Sequence, residues 1–188
     1  FIPVAEKIGL INALGEWVLK TACAEAASWA TPLKVSVNVS PIQLMNTSLT
    51  DTIIEVLHQT GLDPRRLDLE ITESDVFNEN TRSLEILSQL RELGIQISID
   101  DFGTGYSSLS RLSYFPFDKI KIDRSFVINI PEQKDDLDIV RLIISMGKSL
   151  HMRIVAEGVE TEEQLASLQA LGCDLVQGYL IGKPSPLR

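Results

Sequence analysis

Two adjacent carboxylates, Asp100 and Asp101, stand where a strand-like run, IQISID at 95–100, gives way to a turn containing Gly103 and Gly105. Neighbouring residues of a strand point to opposite faces, but a bend at the strand end allows both carboxylates to reach one site. A pair of divalent ions there would offset their repulsion, activate a water and stabilise the leaving oxygen of a phosphoryl displacement. The alternative for these residues alone is a helix N-terminus, where acidic side chains are favourable.

Four strand-like runs alternate apolar and polar residues, so each has one polar face. Asn38, Glu70, Asp100 and Lys121 lie on these faces, near the ends of their runs. In a barrel of parallel strands the polar faces look into the interior, where unpaired carboxylates are costly, and the active site lies at the C-terminal strand ends. An antiparallel sheet with one side in water is the alternative. Oxygen donors without histidine or cysteine suit Mg²⁺ or Mn²⁺ rather than zinc.

Strand-like and helical runs alternate along the chain, which predicts parallel βαβ units and an α/β fold. The strand-like runs are 34–40, 67–72, 95–100, 118–123, 153–159 and 174–180. Helical patterns cover 4–29, 49–60, 80–93, 135–150 and 161–171, with a shorter turn of helix at 106–114. Thr161 with Gln164 forms a capping-box pattern, and three glycines occupy positions suited to a left-handed helix end, namely Gly61, Gly94 and Gly172.

The composition is that of one globular domain over 1–188, with 44% hydrophobic and 23% charged residues. A net charge of −9 argues against a nucleic-acid polymer as partner. Cys23 and Cys173 have no metal-binding or redox spacing, which predicts two reduced thiols. No apolar run approaches the roughly 18 residues that span a bilayer, and no signal-peptide pattern is present. We therefore expect a cytoplasmic domain without membrane contact.

Six motifs occur in order along the chain: VSVNVSPIQL, LDLEITES, SIDDFGTGYSSL, DKIKIDRSFV, RIVAEGVET and LGCDLVQGYL. Together they resemble the EAL domain, a bacterial phosphodiesterase module, from Phe1 to about Pro184. The resemblance implies a modified TIM-like (β/α)8 barrel and two ions of Mg²⁺ or Mn²⁺. It also implies hydrolysis of cyclic di-GMP to linear pGpG in second-messenger signalling.

The resemblance assigns roles to individual residues. It places the metal ligands on Asn38, Glu70, Asp100 and Asp101, a lysine that contacts the attacking water or the metal on Lys121, and the general base on Glu157. Gln177 and Glu160 match positions that line or support the substrate and metal pocket. Glu73 corresponds to the glutamate that steadies the loop after the paired aspartates, and that loop, Phe102 to Ser108, is associated with dimerisation. Taken singly, Lys121 could instead be a solvated edge charge and Glu157 a helix-cap acid.

One family motif is missing. The Glu-Ala-Leu stretch that gives the family its name carries a further metal ligand, and this chain contains no such tripeptide. The first residues, FIPVAEKIGLI, resemble the segment that follows that motif, so the first helix and the first two strands of the barrel are expected to be absent. Six predicted strands also fall short of the eight that close the barrel. We therefore expect a fragment of a longer protein with an upstream GGDEF-type cyclase, a sensor domain or a membrane anchor.

Three functions compete on this basis. The first is a metal-dependent cyclic di-GMP phosphodiesterase, which the full set of matched acids and Lys121 favours. The second is an inactive regulatory module that binds cyclic di-GMP or forms a homodimer, although such members usually have lost several of the acids. The third, a different phosphate-handling TIM-barrel enzyme, would leave the joint match of six motifs unexplained.

Overall fold

The computed structural model describes residues 1–73, 81–105, 112, 115 and 117–186. The chain divides into two compact units, Phe1–Ser98 and Ile99–Arg188. The first holds helices and strands α1 (Ile2–Lys7), α2 (Ile11–Ser28), β1 (Val35–Asn38), α3 (Pro41–Leu44), α4 (Leu49–Thr60), a 3₁₀ turn (Pro64–Arg66), β2 (Leu67–Thr72), α5 (Thr81–Glu92) and the start of β3 (Gln96–Phe102). The second continues with β4 (Lys119–Ile122), α6 (Arg124–Val127), α7 (Lys134–Ser149), β5 (Arg153–Ala156), α8 (Glu162–Leu171) and β6 (Leu175–Val176).

Strand pairing is parallel in both units. In the first unit β1 pairs with β2, and the strand order is β1-β2-β3. In the second unit the order is β3-β4-β5-β6, with β4 parallel to β5 and β5 parallel to β6. Parallel neighbours need long crossovers, and the helices between the strands supply them. The prediction of βαβ units is confirmed, and the antiparallel alternative is wrong for these pairs.

On β2 of the first unit the polar face is buried as well as the apolar face, whereas Ser36 and Asn38 on the polar face of β1 are exposed. On β2 the apolar side chains of Leu67, Leu69 and Ile71 are fully buried, and so is the carboxylate of Asp68 on the opposite face. Its oxygens accept hydrogen bonds from Ser36 Oγ at 3.2 Å and Ser98 Oγ at 2.7 Å. Burial of both faces is typical of a parallel sheet, and a buried carboxylate is tolerated because hydroxyl groups replace water.

The glycines and capping residues in the sequence predict the helix ends, with one correction. The helix predicted over 4–29 is two helices, because Gly9 adopts a left-handed φ of 77° that ends α1. Gly61, Gly94 and Gly172 are left-handed as predicted. The capping box of Thr161 and Gln164 is confirmed.

The last two strands are shorter than predicted. Strand 153–159 ends at Ala156, and 174–180 is reduced to Leu175–Val176. Gly158 turns the chain with a φ of 72°, and the backbone of Gly178 packs directly on that of Val159. A Cβ atom on Gly178 would lie 2.1 Å from the carbonyl oxygen of Val159, so this approach requires glycine. The helix predicted over 106–114 and residue 80 of the helix at 80–93 lie outside the described residues, apart from Leu112.

Among the helices that the structure describes, none combines the length and apolar character needed to cross a bilayer. Both cysteines are free thiols. Cys23 lies on α2 with no exposed surface, and burial raises the pKa of its thiol to about 11.

We expect Cys23 to resist a thiol reagent such as DTNB at pH 8 while the protein is folded, because the thiol is both buried and protonated. In a Cys173→Ser variant, which leaves Cys23 as the single thiol, labelling should slow at least about 100-fold relative to the protein in urea. Since the folded state keeps its proton up to a higher pH than the unfolded state, the free energy of unfolding should fall as pH rises from about 9 to about 11. Labelling of the folded variant at the unfolded rate would contradict this description of the core.

Candidate active site

Three carboxylates converge in the second unit. Asp100 and Asp101 lie near the end of β3, and Glu157 directly follows β5. One oxygen from each lies within 4.8 Å of the others. The C-terminal ends of parallel strands meet at one edge of a sheet, which explains how residues so far apart in sequence come together.

The backbone of Asp101 breaks the alternation of the strand. Its φ is 52°, a left-handed value that is uncommon for residues other than glycine. In an extended strand the side chains of Asp100 and Asp101 would point to opposite faces. The left-handed residue redirects the chain, so both carboxylates reach the cluster with Glu157.

A buried ammonium group holds two of these acids. Lys121 lies on β4, between β3 and β5 in the sheet, and its Nζ is 2.9 Å from Asp100 Oδ1 and 2.8 Å from Glu157 Oε1. Only 6% of the lysine side chain is exposed, so the solvated edge charge is excluded. Glu157 is not a helix-cap acid either, because Thr161 caps α8.

The cluster carries more negative than positive charge. Burial raises the pKa of Asp101, and the negative charges of Asp100 and Asp123 raise it further. When ionised, the three carboxylates outweigh the single ammonium of Lys121 by two charges among these four residues. The donors are hard oxygens, and the cluster includes no histidine or cysteine, so its chemistry fits Mg²⁺ or Mn²⁺.

Two further predicted ligands lie together in the first unit. Asn38 is the last residue of β1 and faces Glu70 of β2 in the parallel register. The amide of Val39 donates to the carbonyl oxygen of Glu70 at 2.9 Å. Glu73, directly after β2, is buried. The membership of Asn38 and Glu70 in one ligand set with Asp100 and Asp101 stays a prediction, as does the role of Glu73.

The predicted support residues Glu160 and Gln177 line a cavity in the second unit, of about 210 Å³. Glu157 and Arg124 line the same cavity. Arg124 Nη2 donates to Glu160 Oε1 at 2.8 Å. Arg124 was not among the predicted site residues, although this basic residue directly follows the KID segment at 121–123.

The family model for the EAL domain matches residues 1–184. The chain belongs to the EAL domain family. An uncharacterised signalling protein of Caulobacter vibrioides is 56% identical over 187 residues, which is 100% of this chain and 23% of that protein. NbdA of Pseudomonas aeruginosa, named a cyclic di-GMP phosphodiesterase, is 45% identical over 191 residues, which is 100% of this chain and 24% of that protein. The chain thus spans about a quarter of the length of these relatives.

The solved MucR phosphodiesterase of Pseudomonas aeruginosa, a cyclic di-GMP complex, is 45% identical to this EAL chain. It matches with a TM-score of 0.95 over 99% of this chain and 77% of the MucR chain. The predicted fold class, a TIM-like barrel of the EAL type, is confirmed by this match. The absence of a first helix and two strands stays a prediction, as does a single domain over 1–188.

Replacing Lys121 with methionine tests the charge balance of the cluster. Without metal, the substitution leaves Asp100 and Glu157 facing each other without their shared cation, and we expect the free energy of unfolding to fall by about 3 kcal/mol. Added Mn²⁺ should reduce the difference in the free energy of unfolding between Lys121→Met and wild type, because the ion replaces the lost positive charge. Urea denaturation with and without Mn²⁺ measures both effects.

Lys20→Met is the matched control, because Lys20 pairs with Glu16 on the surface of α2. Losing this exposed pair should change the free energy of unfolding little, and the change should not depend on Mn²⁺. If Mn²⁺ raises the free energy of unfolding of neither the wild type nor Lys121→Met, the cluster is not a cation site.

Proposed function

We propose that this EAL domain hydrolyses one phosphodiester bond of cyclic di-GMP to give linear pGpG, with two Mg²⁺ or Mn²⁺ ions. The observation that carries the proposal is the convergence of Asp100, Asp101 and Glu157 around Lys121 at the strand ends. The names of NbdA and MucR and the cyclic di-GMP complex of MucR support it.

Asp100 and Asp101 are the residues of the second unit that would hold the metal, with Asn38 and Glu70 as further predicted ligands. A bound divalent ion supplies a Lewis acid that lowers the pKa of water and offsets charge on the phosphate. Asp101 is the more exposed of the two aspartates, which leaves its carboxylate accessible to an ion from solvent.

Glu157 is the proposed general base. Its carboxylate would accept the proton of the attacking water, a role open to a carboxylate placed beside the cluster. Lys121 keeps Glu157 in place through the 2.8 Å contact and brings a positive charge toward the phosphoryl oxygens, where negative charge grows during the reaction. Gln177 and Glu160 would contact the substrate from the adjoining cavity.

The other partners remain predictions. An upstream regulatory or cyclase domain is supported by the length of the relatives and by the name of MucR, a bifunctional diguanylate cyclase and phosphodiesterase. Dimerisation through the loop Phe102 to Ser108 involves residues 106–108, which lie outside the described residues. A cytoplasmic location is proposed from the absence of a membrane-spanning pattern in the sequence.

We expect Glu157→Gln to lower kcat for cyclic di-GMP at least about 100-fold with KM changed less than about threefold, because the amide cannot take a proton. Chromatographic measurement of pGpG with Mg²⁺ or Mn²⁺ gives both constants. Glu55→Gln, an exposed change on α4, should leave them unaltered.

If Glu157→Gln keeps the wild-type kcat, Glu157 is not the general base. Absence of turnover by the full-length wild-type protein with either ion would refute the phosphodiesterase. Tight cyclic di-GMP binding in that case would favour the regulatory binding module.

A further inference from the structure

The short segment 157–160, here called the acidic loop, carries both Glu157 and Glu160 between β5 and α8. Its backbone is tied down at several points. The amide of Glu157 donates to the carbonyl of Ile122 at 3.2 Å, and the amide of Val159 donates to the carbonyl of Gln177 at 3.0 Å. The amide of Glu160 donates to Gln164 Oε1 at 2.7 Å. The position of the Glu157 carboxylate therefore depends on how this loop is held.

One side chain outside the loop touches it twice. A Cβ atom built on Gly158 would lie 2.2 Å from Cγ and 2.8 Å from Cδ of Arg124, so the aliphatic part of Arg124 occupies the space above this glycine. The guanidinium of the same residue donates to Glu160 Oε1 at 2.8 Å. Arg124 thus packs on the middle of the acidic loop and bonds to its end.

Arg124 itself is held at a defined place. It is the first residue of α6 and follows Asp123, whose carboxylate accepts hydrogen bonds from the amide and the hydroxyl of Ser125. Lys121 lies three residues earlier and bonds to Glu157. The segment 121–124 therefore contacts the acidic loop at both of its acids, with Lys121 on Glu157 and Arg124 on Glu160.

We propose that Arg124 is a positioning residue for the hydrolysis, acting through Gly158 and Glu160 on the orientation of the Glu157 carboxylate. The inference rests on the proposed function. The ion pair leaves 54% of the Arg124 side chain and 36% of the Glu160 side chain exposed, and exposed pairs add little to stability. The consequence of losing it should therefore appear in the rate of the chemical step, where small displacements of a reacting group are costly.

The chain offers a matched control. Arg141 on α7 pairs with Asp138 on the same helix, and 54% of its side chain is exposed, the same fraction as for Arg124. Arg141→Met therefore removes an ion pair whose arginine is equally exposed and whose acid, Asp138, lies on α7 rather than on the acidic loop. Any loss of activity in Arg124→Met beyond the loss in Arg141→Met is then due to the contact of Arg124 with the acidic loop.

The experiment compares Arg124→Ala, Arg124→Met, Arg124→Lys and Arg141→Met in the full-length protein with cyclic di-GMP and Mn²⁺. Methionine keeps an aliphatic chain over Gly158 without the charge, lysine keeps both, and alanine keeps neither. We expect Arg124→Met to lower kcat about tenfold with KM within about twofold of wild type. The kcat of Arg124→Ala should be lower than that of Arg124→Met, and the kcat of Arg124→Lys should be higher. Because Arg124 acts through Glu160, Arg124→Met combined with Glu160→Gln should be no slower than the slower single variant.

Hydrogen–deuterium exchange of the peptide that covers 157–160 gives a readout independent of turnover. Arg124→Ala should speed exchange there, and Arg141→Met should not. Unchanged exchange in Arg124→Ala would overturn the proposal, and so would kcat values of Arg124→Ala and Arg124→Met within twofold of wild type. If the wild-type protein shows no turnover, the proposed function fails, and the exchange rates alone decide whether Arg124 fixes the loop.

Discussion

The buried ammonium of Lys121 is the interaction on which the candidate site depends. Carboxylates gathered within 4.8 Å repel one another and lose hydration, and both effects favour protonation or separation. A lysine on the central strand of three, within 2.9 Å of Asp100 and Glu157, places a positive charge between these acids and offsets their repulsion. Strand order fixes this geometry, because only a residue of β4 faces β3 on one side and β5 on the other.

The buried acid Asp68 and the acids of the candidate site differ in their exposure to solvent. Asp68 in the first unit has no accessible surface, and both of its oxygens accept hydrogen bonds from serine hydroxyls. Its role is therefore to satisfy the polar face of the sheet. In the second unit, Asp100 and Glu157 keep 13% and 17% of their side chains exposed, and Asp101 is exposed. These three acids of the second unit remain open to an ion and a substrate, whereas Asp68 does not.

Much of the second unit's site could be predicted because it depends on periodicity. Alternating residues placed Asp100 and Lys121 on polar faces, and parallel order brought the strand ends together. The extent of the final strands could not be predicted, because strand-like residues at 157–159 and 177–180 give way to a glycine contact between two loops. The break at Gly9 was missed for a related reason: apolar periodicity continues across a glycine that the backbone uses to turn.

Arg124 shows why the remaining part of the site escapes pattern analysis. Its partners, Gly158 and Glu160, lie more than thirty positions away, and neither spacing nor charge in one segment points to the other. The contact between Arg124 and the acidic loop depends on the absence of a side chain at Gly158. Gly158 is needed for its left-handed φ of 72°, and the space left by its absent Cβ is filled by the stem of Arg124. Backbone geometry that is required for the turn thus creates the contact that restrains the acids on either side of it.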